Sequence, residues 1–118
     1  MDPISYDGRR FRVATTTDNG DVGEGTEFAY RQHGDVVWAS YEGGGVRRGT
    51  LIATADARGV LDMRYAHVDD GGVLMTGVCT STPQILADGR LRMHERWRWT
   101  SGDLSAGESV VEEVRGGV

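Results

Sequence analysis

The chain has 118 residues, 38% of them hydrophobic and 26% charged, with a formal net charge of −5. That length supports one domain with a single core and excludes a second, and apolar residues spread along the chain exclude a disordered polypeptide. The acidic balance argues against nucleic acid, the single Cys79 excludes an internal disulfide, and no apolar run reaches membrane-spanning length.

Glycine is abundant, with 18 residues against two prolines, and it clusters in turn dipeptides that supply the positive φ angles of tight hairpins. The first predicted strand is Arg9–Thr16, with a short pairing expected at Ile4–Tyr6 across the Asp7-Gly8 turn. Beyond Asp18-Asn19-Gly20 comes a second strand, Thr26–Gln32, and His33-Gly34-Asp35 turns it into a third, Val36–Tyr41. Gly43-Gly44-Gly45 precedes Arg48–Thr54, the turn ending at Gly59 precedes Leu61–Val68, and Asp69-Asp70-Gly71-Gly72 precedes Val73–Thr80. Pro83 predicts that the chain leaves the sheet from Thr82 until Asp88-Gly89. Leu91–Thr100 and Ser109–Val114 complete the set, and Asp103–Gly107 has room for a single helical turn.

Hairpin connections of this kind predict an all-β protein: a single antiparallel up-and-down barrel of about 8–10 strands, able to hold one small ligand. A sandwich needs a longer crossover, for which only Thr17–Gly25 and Pro83–Arg90 offer the length. The whole chain, residues 1–118, reads as this one domain.

Period-two alternation sorts side chains onto faces. In the penultimate strand Leu91, Met93, Glu95, Trp97 and Trp99 share one face, opposite Arg92, His94, Arg96 and Arg98. Leu61, Met63, Tyr65 and His67 share a face of the fifth strand; Met75 and Cys79 share one in the sixth; Trp38 or Tyr41 extends the set from the third. The predicted ligand-binding residues are therefore Trp38, Tyr41, Met63, Tyr65, Met75, Glu95, Trp97 and Trp99, an aromatic and thioether lining suited to a small apolar or aromatic ligand.

Glu95 and His67 are the candidate catalytic residues. A carboxyl among Trp and Met side chains has its pKa raised and can act as an acid or base. The alternatives are an ion pair with Arg64 or Arg48 on a neighbouring strand, or a ligand cation or amide bound to Glu95. Tyr65 and His67, two apart on one strand, either form a proton-transfer pair or are a buried tyrosine and a mouth histidine satisfied by backbone. His33, His67 and His94 show no metal-ligand spacing, so neither a metal nor a cofactor is expected. Cys79 reads as a small core residue, and the arginine row as a solvated outer face. Gly43-Gly44-Gly45 before Arg47-Arg48 lacks the GxxxxGK[ST] phosphate-loop pattern.

The segments GTLIA (Gly49–Ala53), LDMRY (Leu61–Tyr65), LMTGVC (Leu74–Cys79), DGRLRMHERWRWTSGD (Asp88–Asp103) and GESVVEE (Gly107–Glu113) resemble a family of small bacterial proteins. Its members often carry the name "n-acetylglutamate synthase". The resemblance runs from about Tyr6 to Glu113 and implies a compact barrel of the calycin type, similar to the lipocalins. Acetyl transfer from coenzyme A in the enzymes of that name uses a Q/R-x-x-G-x-G/A loop between a strand and a helix. Here Arg31–Val36 ends in valine and reads as a hairpin, so acetyl transfer is not expected.

The leading expectation is a cytoplasmic barrel that binds a small molecule in its interior, with Glu95, Trp97, Tyr65 and Trp38 as principal contacts. The residues leave two alternatives. One is a small isomerase, cyclase or hydrolase using Glu95 or His67 as acid/base; the other is a self-associating module, such as a homodimer. Neither a nucleic acid nor a membrane is expected as a partner.

Overall fold

The computed structural model describes residues 3–115, in which eight antiparallel strands close into a barrel. The strands are β1 (Arg10–Thr16), β2 (Glu27–His33), β3 (Val36–Gly43), β4 (Val46–Ala55), β5 (Leu61–Asp69), β6 (Leu74–Ile85), β7 (Leu91–Trp99) and β8 (Ala106–Glu113). Each pairs with its neighbours in sequence, and β8 closes against β1 with Phe11 opposite Glu113. The predicted up-and-down barrel is thus the observed fold, and closure leaves no sheet edge for intermolecular pairing. Arg31–Val36 forms the β2–β3 hairpin, with Gly34 at φ 60°.

Three local expectations are corrected. Ile4–Tyr6 is not a strand, because it crosses the barrel's end instead of lying along an edge. There Tyr6 is fully buried, its N–H donates to Gln32 Oε1 at 2.7 Å, and its hydroxyl donates to the Gly59 carbonyl. Asp103–Gly107 makes no helical turn; Leu104 takes φ 60°, and β8 is already paired at Ala106, opposite Arg98. Pro83 stays in β6, opposite Met93, because β5 has ended at the Leu61–Ser81 pair and the missing N–H lacks a strand to serve on that side. Thr17–Gly25 is no crossover but a loop folded over the opposite end of the barrel.

The interior has two unlike halves. Around the Tyr6 end, Phe11, Val37, Leu61, Leu91, Met93 and Val111 are at most 1% exposed and form a buried apolar core. Phe11 and Tyr30 pack there with ring centroids 4.9 Å apart. The loop-covered end is looser and holds most of the predicted site. Outside, the β7 basic row pairs across the sheet: Arg92 with Glu112 at 2.8 Å and Arg96 with Glu108 at 3.8 Å, each directly opposite its partner. Such exposed pairs contribute at most about 1 kcal/mol each, and their role is to keep this face solvated.

Candidate functional site

Alternation along β3, β5 and β7 delivers Tyr41, Met63, Tyr65, His67, Glu95, Trp97 and Trp99 to the wall of one cavity of about 50 Å³. Cys79 joins them from β6, and Phe28, Leu51 and Ser109 join from strands whose faces the sequence reading left unassigned. The space is small beside the roughly 300–1,000 Å³ of pockets for drug-sized ligands, and takes instead a few waters or one compact group.

Two predicted contacts fall elsewhere. Trp38 is 41% exposed, because the inward residues of β3 are Val37, Ala39 and Tyr41 and alternation turns Trp38 outward. Met75 points inward but sits at the rim, where its sulfur is 3.8 Å from Ser101 Oγ, and does not line the cavity.

The rings lie flat because glycines make room for them. Tyr41 is directly opposite Gly49, Tyr65 opposite Gly77 and Trp97 opposite Gly107. A Cβ on any of these glycines would overlap the facing ring. Each aromatic side chain therefore covers bare backbone across the strand pair, a cross-strand arrangement that buries the ring face and fixes its direction. Further contacts tie the rings together: Phe28 stacks on Tyr41 at 4.9 Å, and Trp97 and Trp99 are 5.4 Å apart.

Among the described residues Glu95 is the one carboxylate in the cavity's inner wall, and it forms neither of the alternative ion pairs, with Arg64 or Arg48. Arg64 instead pairs with Asp62 at 2.7 Å, and Arg48 is exposed on the outer face. The Glu95 oxygens accept hydrogen bonds from Ser81 Oγ and Ser109 Oγ, each at 3.1 Å. Burial raises its pKa to about 7, and the two serine hydroxyls only partly offset that rise. Burial likewise pushes up Tyr41, Tyr65 and the Cys79 thiol, the last with a further contribution from Glu95. Cys79 is therefore an unreactive core residue. The indole N–H of Trp97 is buried with no partner among the described residues.

His67 is 2% exposed and is satisfied by side chains, where backbone had been the expectation. Its Nδ1 lies 2.8 Å from Tyr41 Oη and its Nε2 2.8 Å from Asp21 Oδ2. The neutral tautomer with the proton on Nε2 fits both contacts, donating to Asp21 and accepting from Tyr41. Tyr65 stacks on the imidazole with centroids 6.3 Å apart and makes no hydrogen bond to it, so of the two readings of Tyr65 and His67 the proton-transfer pair gives way to a packing contact.

Asp21 belongs to the loop 17–26, which sequence reasoning missed as part of the site. The loop is tied down at several places, three of them beside the cavity. Asp21 meets His67, the Asp21 carbonyl accepts from Gly45 N–H at 3.1 Å, and the Asn19 carbonyl accepts from Trp99 Nε1 at 3.0 Å. Gly20, Asp21 and Val22 thereby become the cavity's outer wall. No local pattern announces this, since every anchor is distant in sequence. Among the described residues no cluster of His, Cys, Asp and Glu suits a metal ion.

Residues 4–114 match the family described as avidin-like protein. No curated protein and no solved structure matches the chain.

Proposed function

The chain belongs to the avidin-like protein family, and from that premise we propose that it is a small-molecule-binding barrel whose ligand enters the cavity beneath the loop 17–26. One observation carries the reading: the packed half of the barrel satisfies itself, whereas the cavity half keeps an aromatic-walled space whose polar groups are left incomplete by the protein. Among the described residues Glu95 has two serine donors and no basic partner, and the Trp97 N–H has no acceptor. A buried carboxylate without a basic partner is costly when ionised, and a ligand that brings a donor or a positive charge relieves that cost. Five rings, from Phe28, Tyr41, Tyr65, Trp97 and Trp99, supply apolar contact around that point.

Thermal denaturation against a library of small metabolites tests this. At least one compound should raise the melting temperature in a concentration-dependent way, and should do so less in a Tyr65→Ala variant. A library that moves no transition, in a protein whose Trp97 and Trp99 fluorescence also stays fixed, would defeat the reading.

The pKa of Glu95 favours one second reading, a small enzyme with Glu95 as acid/base, because a carboxyl titrating near neutrality is suited to proton transfer. His67 is already engaged by Asp21 and Tyr41, which leaves Glu95 as the group for that role. Once a compound is found, Glu95→Gln separates the readings: an enzyme loses turnover and keeps affinity, and a binder using the charge loses affinity.

A further inference from the structure

We propose that the cavity is a receptor for a small organic ammonium ion, with Glu95 as counter-ion and the surrounding rings as a cation-binding cage. This rests on the binding reading above and names its ligand class.

The argument starts from where the chain keeps its positive charge. All 13 basic residues are arginines, and none of them is buried. Glu95 is consequently a carboxylate facing an interior to which the described residues bring no guanidinium or ammonium group. His67, the one imidazole nearby, is held between Asp21 and Tyr41 and does not hydrogen-bond Glu95. An unpaired carboxylate among aromatic rings is costly when ionised, and a cation arriving in the same space removes that cost.

The walls have the complementary chemistry. Tyr41, Tyr65, Trp97 and Trp99 line the cavity together with Glu95. Aromatic faces attract cations through the ring quadrupole, most strongly where water is excluded. Glycines 49, 77 and 107 hold three of these rings against the sheet, so the cage stays open without a ligand to prop it. The volume of about 50 Å³ admits a compact head group and not an extended molecule. A methylated ammonium head is compact, brings its own charge, and demands few hydrogen bonds from a lining that offers few.

The test uses choline and tetramethylammonium as cations, and 3,3-dimethyl-1-butanol as the uncharged equivalent of choline. Binding is read by calorimetry and by tryptophan fluorescence on the intact protein at pH 8. Both cations should bind saturably, with choline roughly tenfold or more tighter than the alcohol. Glu95→Gln should remove that preference, and Tyr65→Leu should weaken choline more than the alcohol, which keeps the idea testable if either variant folds poorly. Equal binding of choline and the alcohol would overturn the ammonium assignment while leaving the cavity a binder. Absence of binding by all three overturns it as well, and the metabolite library then decides separately whether the cavity binds anything.

Discussion

Tyr65 lies directly opposite Gly77 across β5 and β6, and its ring occupies the space where any side chain at 77 would begin. The tyrosine and the glycine are two halves of one packing unit. Gly77→Ala should therefore destabilise the barrel by about 1–3 kcal/mol, as overpacking does, and displace the ring into the cavity. In a Tyr65→Ala background the same change should cost far less, so a double-mutant cycle by chemical denaturation measures a coupling of about 1 kcal/mol or more. Additive losses would show that the ring and the glycine are independent.

Glu95 makes stability depend on pH in a definite direction. Its folded pKa of about 7 lies above its ordinary value of 4.5, so the folded state holds the proton more tightly than the unfolded one. Its contribution is fully present below about pH 4.5 and is lost as pH rises through 7, a change on the order of 3 kcal/mol at most. Glu95→Gln should flatten this trend, making the variant less sensitive than the wild type between pH 5 and 8. Parallel unfolding free energies across that range would contradict the assignment.

The loop 17–26 should loosen when its carboxylate is removed. Asp21→Ala leaves His67 Nε2 without its 2.8 Å partner, at a cost of about 1–3 kcal/mol. Amide exchange should accelerate in residues 18–25 well before it does in β5 and β7. An exchange pattern unchanged in the loop would mean that its other anchors hold it without Asp21.

Trp38 and Trp99 should respond very unequally to substitution. Trp38→Thr, on the outer face, should change stability by about 0.5 kcal/mol or less. Trp99→Leu removes a 96%-buried ring and the Nε1 bond to Asn19, and should cost about 3 kcal/mol or more. Urea denaturation of both variants distinguishes these outcomes.

Much of this was legible in the chain. Turn dipeptides and period-two alternation locate all eight strands, since each hairpin is built from neighbouring residues and its faces follow from counting. The same counting should have excluded Trp38 once Tyr41 was accepted, because the two are an odd number of positions apart on one strand. What could not be read is what depends on distant partners. Asp21 gains its role only because β5 brings His67 beneath it, 46 positions away. Ser81 and Ser109 are ordinary small residues until β6 and β8 flank β7 and aim both hydroxyls at Glu95. Pro83 misled for a related reason: how far β5 extends beside β6 is set by register, and no single residue reports it.

The pairing of β1 with β8 also has a consequence for how the chain assembles. Every other strand pair joins neighbours through a turn or a short loop, so the meander can zip up from local contacts in any order. Joining Phe11 to Glu113 brings together residues roughly a hundred positions apart, and its entropy cost is large unless the intervening strands have already curled. Closure is thus the natural last event of folding, and the cavity with its covering loop acquires its shape only at that step.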